Sequence, residues 1–159
     1  MRFVRAELRD DVLSEVAEEL RLSGVTNDIA DQVVADYLGL NRTDTRCLDI
    51  IERLDGVSAG RLASEAGLST GAVTTVLDRL ERAGYARRVS DPADRRRVKL
   101  DVTPKFYSRA NKIWGPMAAD WESRLSRRFT GEELELVTEF LRATNELSRG
   151  HLERLRKMG

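Results

Sequence analysis

The stretch that decides the fold runs from Gly60 to Thr103: GRLASEAGLSTGAVTTVLDRLERAGYARR (60–88), then VSDPADRRRVKLDVT (89–103). Ser58 can cap a short helix reaching Ala66, and Gly67 ends it. Ser69 can cap a second helix, Thr70 to Ala83, which Gly84 terminates. A serine hydroxyl accepts from the free amides of a first helical turn, and glycine tolerates the left-handed backbone of a helix end. Two short helices joined by a three-residue turn containing glycine predict a helix-turn-helix. Leu62, Ala66, Leu68, Val73 and Val76 are spaced to pack inward, and small Ala63 lies where the two helices cross. On the second helix Val73, Val76, Leu77 and Leu80 share one face, which turns Gly71, Thr74, Thr75, Asp78, Arg79 and Arg82 outward.

Tyr85 to Val89 and Val98 to Val102 have the residue types of strands, separated by the turn-forming Asp91-Pro92-Ala93-Asp94 and three arginines. A hairpin with a basic tip is expected. The whole chain has 27 basic and 27 acidic residues and a formal net charge of +0, which by itself argues against a nucleic-acid partner. The total hides segregation. From Gly84 to Leu100, Arg87, Arg88, Arg95, Arg96, Arg97 and Lys99 are opposed only by Asp91 and Asp94.

Working outward, Asn41 is an N-cap and Asp44 an acid in the first helical turn, where the helix dipole favours it. Cys47, Ile50, Ile51 and Leu54 continue as an inward stripe stopped at Asp55-Gly56. Before this, Val4, Leu8, Val12, Val16 and Leu20 mark a first helix. A break at Gly24 and a second helix with Ile29, Val33, Val34, Tyr37 and Leu38 are expected to follow. Thr103-Pro104 starts a helix expected to kink or end near Gly115-Pro116. Thr130-Gly131-Glu132-Glu133 has capping-box spacing, and Leu134, Val137, Leu141, Thr144, Leu147 and Leu155 give the last helix an apolar side.

Length and composition bound the rest. A chain of 159 residues with 41% hydrophobic and 34% charged residues fits one globular domain, or one with appended helices. The longest run free of Asp, Glu, Lys and Arg, Ala66 to Leu77, falls short of the roughly 20 apolar residues a membrane span requires. Acids interrupt MRFVRAELRDDVLSEVAEEL wherever a signal-peptide core would have to lie, so a cytoplasmic protein without a membrane partner is expected. A single cysteine, Cys47, and a single histidine, His151, leave poor means for a metal site. No glycine loop cradles phosphate and no nucleophile has a histidine nearby, so neither enzymatic activity nor a cofactor is expected.

Leu40 to Thr103 resembles the winged helix-turn-helix of MarR-family bacterial transcriptional regulators. The residues that carry the likeness are LNRTDTRCLDII (40–51), the helix pair with its Gly84-Tyr85 terminator, and the acidic, arginine-rich DPADRRRVKLDVT (91–103). The resemblance implies a mainly α fold with a small β-hairpin wing, organised as N-terminal dimerisation helices (1–39), a DNA-binding winged helix (40–103) and C-terminal dimerisation helices (104–159). It implies a homodimeric, sequence-specific regulator of transcription, most often a repressor, that binds a palindromic operator in double-stranded DNA. Ser69 caps the groove-entering helix, and Thr70, Gly71, Thr74 and Thr75 fall at groove-facing positions. Threonine can donate or accept at a base edge, and Arg79 is placed to reach a phosphate or a guanine. The resemblance makes Arg96 the wing-tip arginine, with Arg95 and Arg97 beside it, Asp94 as a brace, and Arg88 as a tie between wing and helix. It also implies a small aromatic or anionic effector, for which Tyr37, Tyr107 and Trp114 are candidate pocket residues.

The competing reading is a winged-helix protein-interaction module without a DNA partner, which a neutral chain would suit and an arginine-rich hairpin does not. Arg96→Ala separates the two. It is expected to weaken duplex binding and to flatten its salt dependence by about one counterion per subunit. Titration over a range of salt concentrations measures both, and an unchanged affinity and slope remove the wing from the mechanism.

Overall fold

Polar caps divide the chain at the positions their chemistry predicts. The computed structural model describes residues 11–90 and 98–158. Val4, Leu8 and the segment holding Asp94, Arg95, Arg96 and Arg97 lie outside the described residues. The elements in order are α1 (Asp11–Leu38), α2 (Arg42–Arg53), α3 (Ala59–Ala66), α4 (Thr70–Ala83), β1 (Ala86–Ser90), β2 (Val98–Val102), α5 (Pro104–Leu125) and α6 (Gly131–Arg156). The side chains of Asn41, Ser58, Ser69 and Thr130 accept from the amides of Asp44, Arg61, Ala72 and Glu133. At Thr130 the capping box is reciprocal, and hydrogen bonds from the Thr130 amide and then its hydroxyl hold the Glu133 carboxyl below its ordinary pKa. Gly67 and Gly84 close α3 and α4 at φ 66° and 74°, where an L side chain is strained.

One expectation about helix ends is corrected and another is narrowed. α1 continues through Gly24, which costs a helix about 1 kcal/mol relative to alanine and does not force a stop. α5 does not end near Gly115-Pro116, one of the two expected outcomes there: it continues through Pro116, since proline removes one interior hydrogen bond and the helix-forming Met117-Ala118-Ala119 follows. The first strand is displaced by one residue from its expected start, because Tyr85 belongs to the α4 terminator, its amide donating to the Leu80 carbonyl.

The contacts divide the chain into two compact units, Met1–Ala110 and Asn111–Gly159. In the first, Leu48 and Ile51 of α2, Leu62 of α3, Val73, Val76, Leu77 and Leu80 of α4 and Leu100 of β2 form the buried core. β1 and β2 pair antiparallel, with Ala86 opposite Val102 and Ser90 opposite Val98. The Leu100 amide donates to the Val57 carbonyl at 2.8 Å, which ties the hairpin to the α2–α3 connection. From the other side, the Tyr85 hydroxyl donates to the Leu38 carbonyl at the end of α1. In the second unit, none of the α6 side chains is buried.

Cys47 lies within the core of the first unit and is 0% exposed. Burial pushes its thiol above the ordinary range, which lowers the thiolate fraction at neutral pH. A thiol reagent at pH 7 is therefore expected to leave the native protein unmodified and to label Cys47 promptly in denaturant. Prompt labelling of the folded protein contradicts the buried placement.

Candidate nucleic-acid interface

The face of α4 that the core does not use forms the candidate site. Thr70, Gly71, Thr74, Thr75, Asp78 and Arg82 are all exposed along it. The space a Cβ would occupy at Gly71 is empty to 4 Å, so the backbone is open to close approach there. The hydroxyls of Thr74 and Thr75 donate to the carbonyls of Thr70 and Gly71, at 3.1 and 3.2 Å. These bonds set the hydroxyl rotors and leave the oxygen lone pairs as acceptors facing solvent. Ser69 accepts from the Ala72 amide and holds the first turn closed.

Ion pairs brace both flanks of this ridge. On the α2 side, Arg79 Nε and Nη2 donate to Asp44 Oδ2 and Oδ1 at 2.8 and 2.5 Å, and Asp44 is only 1% exposed. The hydrogen-bonded carboxylate pushes the Arg79 guanidinium further above its already high pKa. On the hairpin side, Arg88 of β1 pairs with Glu81 and lies 3.6 Å from Asp78. Its amide donates to Glu81 as well, at 3.2 Å. Arg87 pairs with Asp101 across the strands at 2.6 Å. The C-terminal end of α4 is held by Lys105 Nζ, which donates to the Ala83 carbonyl, and by Thr103 Oγ1, which donates to the Gly84 carbonyl, both at 2.6 Å. These bonds satisfy carbonyls that a helix end leaves without partners.

The tyrosines expected at an effector pocket lie elsewhere in the first unit. The Arg109 guanidinium stacks 4.6 Å from the centre of the Tyr37 ring, and its Nη2 donates to the Tyr37 carbonyl. Tyr107 packs against Phe106 with ring centres 5.9 Å apart. Trp114 belongs to the second unit. An open groove of about 720 Å3 runs between α1, α2 and α4, with Gln32, Asp36, Asn41, Arg42, Thr75 and Arg79 in its lining. Among the described residues no group of three or more His, Cys, Asp or Glu side chains is arranged to hold a metal ion. No described helix is long and apolar enough to cross a membrane.

One member of this arrangement, Asp44, escapes sequence reasoning, and a second, Arg82, is placed outward by it but is not counted as a candidate. Asp44 reads as an ordinary first-turn acid, and only the fold shows it buried against Arg79. Arg82 is exposed at the far end of the ridge; its helical position alone would have added it to the candidate set.

The family profile described as MarR family matches residues 40–98, the span from the end of α1 to the start of β2. A Bacillus subtilis (strain 168) protein described as the uncharacterized HTH-type transcriptional regulator YcgE is 34% identical over 149 residues, covering 94% of this chain and 96% of the relative. The chain belongs to the MarR family. A crystal structure of MarR superposes with a TM-score of 0.52 at 27% identity, covering 87% of this chain and 98% of that one. The fold also matches FabT of Streptococcus pneumoniae, solved in complex with DNA, with a TM-score of 0.58, 20% identity and coverage of 86% and 98%. The MarR-family winged helix is thus present here, with its two-stranded hairpin directly after α4.

The Asp44–Arg79 pair makes a prediction about stability. Arg79→Ala leaves a buried carboxylate without its cation and is expected to cost about 3 kcal/mol, the lower end of the range because the arginine is partly solvated. Asp44→Asn removes the buried charge itself and is expected to cost less, about 1 kcal/mol. Denaturant unfolding of the two variants measures this asymmetry, and equal small losses show a pair screened by water.

Proposed function

We propose that this MarR-family regulator binds operator DNA as a homodimer, inserting the Ser69 end of α4 into the major groove of each half-site. The observation that carries the reading is the open ridge of α4, polar and small at its N-terminal end and braced on both flanks. Thr70, Gly71, Thr74 and Thr75 meet base edges, where the Thr74 and Thr75 hydroxyls, which donate within the helix, accept from the bases and threonine methyl groups pack on thymine. Arg82 reaches the backbone, and Arg88 holds the hairpin to the helix. Arg95, Arg96 and Arg97, with Asp94 as their brace, enter the neighbouring minor groove, where arginine suits a narrow A·T segment. That FabT has been solved with DNA supports the same use of the fold here.

Dimerisation is supported by apolar surface that one chain does not cover. Val12, Ile29 and Val33 of α1 are 65, 62 and 62% exposed, and Leu136, Leu147 and Leu155 of α6 are 67, 64 and 64% exposed. Each such side chain gains about 1.5–3 kcal/mol when fully buried. A two-fold dimer buries the same stripe twice, and it sets two copies of α4 about one DNA turn apart. Under this reading the protein has no catalytic role. It acts as a repressor, and a small aromatic or anionic effector releases it by favouring one spacing of the two helices.

Selection of the purified protein against a random duplex pool, with non-specific competitor present, tests the reading. Enrichment of a palindrome with half-sites about one turn apart, bound by two chains, is the expected result. Absence of enrichment at low salt points to the protein-interaction module instead.

A further inference from the structure

We infer that Asp44 is the positioning residue of the DNA-reading helix, and that Arg79 serves it as a strut and makes no DNA contact. The inference rests on the proposal that α4 reads DNA. Two parallel hydrogen bonds fix the guanidinium in both distance and rotation, as a single point charge does not. Asp44 is itself immobile. It sits in the first turn of α2, its amide donates to the Asn41 side chain at 2.9 Å, and core surrounds its carboxylate. For Arg79 to turn towards a phosphate, that carboxylate must give up both bonds.

The consequence for recognition is geometric. Thr75 lies one helical turn before Arg79 on the same side of α4, so the angle that the pair sets is the angle at which Thr75 and Gly71 face outward. Thr70 is nine residues from Arg79, or ~14 Å along the axis, so a tilt of about 10° about the strut moves the reading end by about 2 Å. Such a shift removes base-edge hydrogen bonds but leaves phosphate attraction intact, because only the former depend on close geometry. Asp44 thereby governs sequence selectivity from a position at which it touches no base.

The test compares Asp44→Asn and the double variant Asp44→Asn/Arg79→Gln with the parent protein. Neither variant leaves a buried charge unpaired, and thermal unfolding verifies that each is folded at the assay temperature. Affinity is measured for the selected duplex and for a random-sequence duplex over a range of salt concentrations. Asp44→Asn is expected to bind the selected duplex about tenfold more weakly, as if one base contact were lost. Its affinity for random sequence and its salt slope are expected to stay unchanged, and the double variant to be no worse than the single. Parent-like affinity of Asp44→Asn for the selected duplex overturns the inference. So does a further loss in the double variant with a slope flatter by about one per subunit, which makes Arg79 a phosphate contact. If the parent protein prefers no duplex, the DNA reading itself fails and the selectivity role fails with it. Amide exchange across Val73–Leu80 then judges the strut alone, with faster exchange in Asp44→Asn expected and unchanged exchange refuting it.

Discussion

A carboxylate deprived of water needs a cation, and the place where that cation must sit is not free. Asp44 imposes this constraint on the winged helix. It lies in the first turn of α2, where a helix dipole favours an acid, and is closed in by the core. Arg79 answers it from α4, across 35 residues of sequence. α4 would still pack through Val73, Val76, Leu77 and Leu80 without this pair, but apolar contact is non-directional and sets position more loosely than rotation. The bidentate pair supplies the rotation. Arg88 on the opposite flank and Lys105 with Thr103 at the C-terminal end complete the frame, so that α4 is held on every side except the ridge that faces outward.

The neutral total charge of the chain also takes on a different meaning in three dimensions. Among the described residues, Arg79, Arg87 and Arg88 are all matched by acids, and their work is internal to the winged helix. Within the 84–100 stretch, residues 91–97 hold three arginines and two aspartates, a formal charge of +1. Arginines that look alike in sequence thus take different acids, and the fold decides which acids come within reach.

The long helices obey a different rule from the winged helix. α2, α3 and α4 bury their apolar stripes within the chain, whereas α1 and α6 keep large apolar side chains in solvent. A helix of 26 residues with none of its side chains buried gains little from its own chain beyond its capping box and local pairs. In the proposed dimer, burial against a second copy answers that exposure and sets the spacing of the two copies of α4.

The sequence by itself determined the features whose causes are local. The caps at Asn41, Ser58, Ser69 and Thr130, the glycine ends at Gly67 and Gly84, the inward face of α4 and the two strands each depend on residues within a turn or two of one another. Local reasoning failed at Gly24, where it overestimated a single breaker against a helix whose remaining bonds are intact. The exposed ridge of α4 was legible because helical period alone separates it from the core face. The partners of its arginines were not legible: Asp78 and Glu81 are near Arg79 in sequence, yet it is Arg88 that takes them and Asp44 that takes Arg79. The Val57–Leu100 bond and the Arg109–Tyr37 stack were hidden for the same reason. Only the tertiary structure decided these pairings, because desolvation determines which charge must be answered, and a group's depth is a property of the whole packed chain.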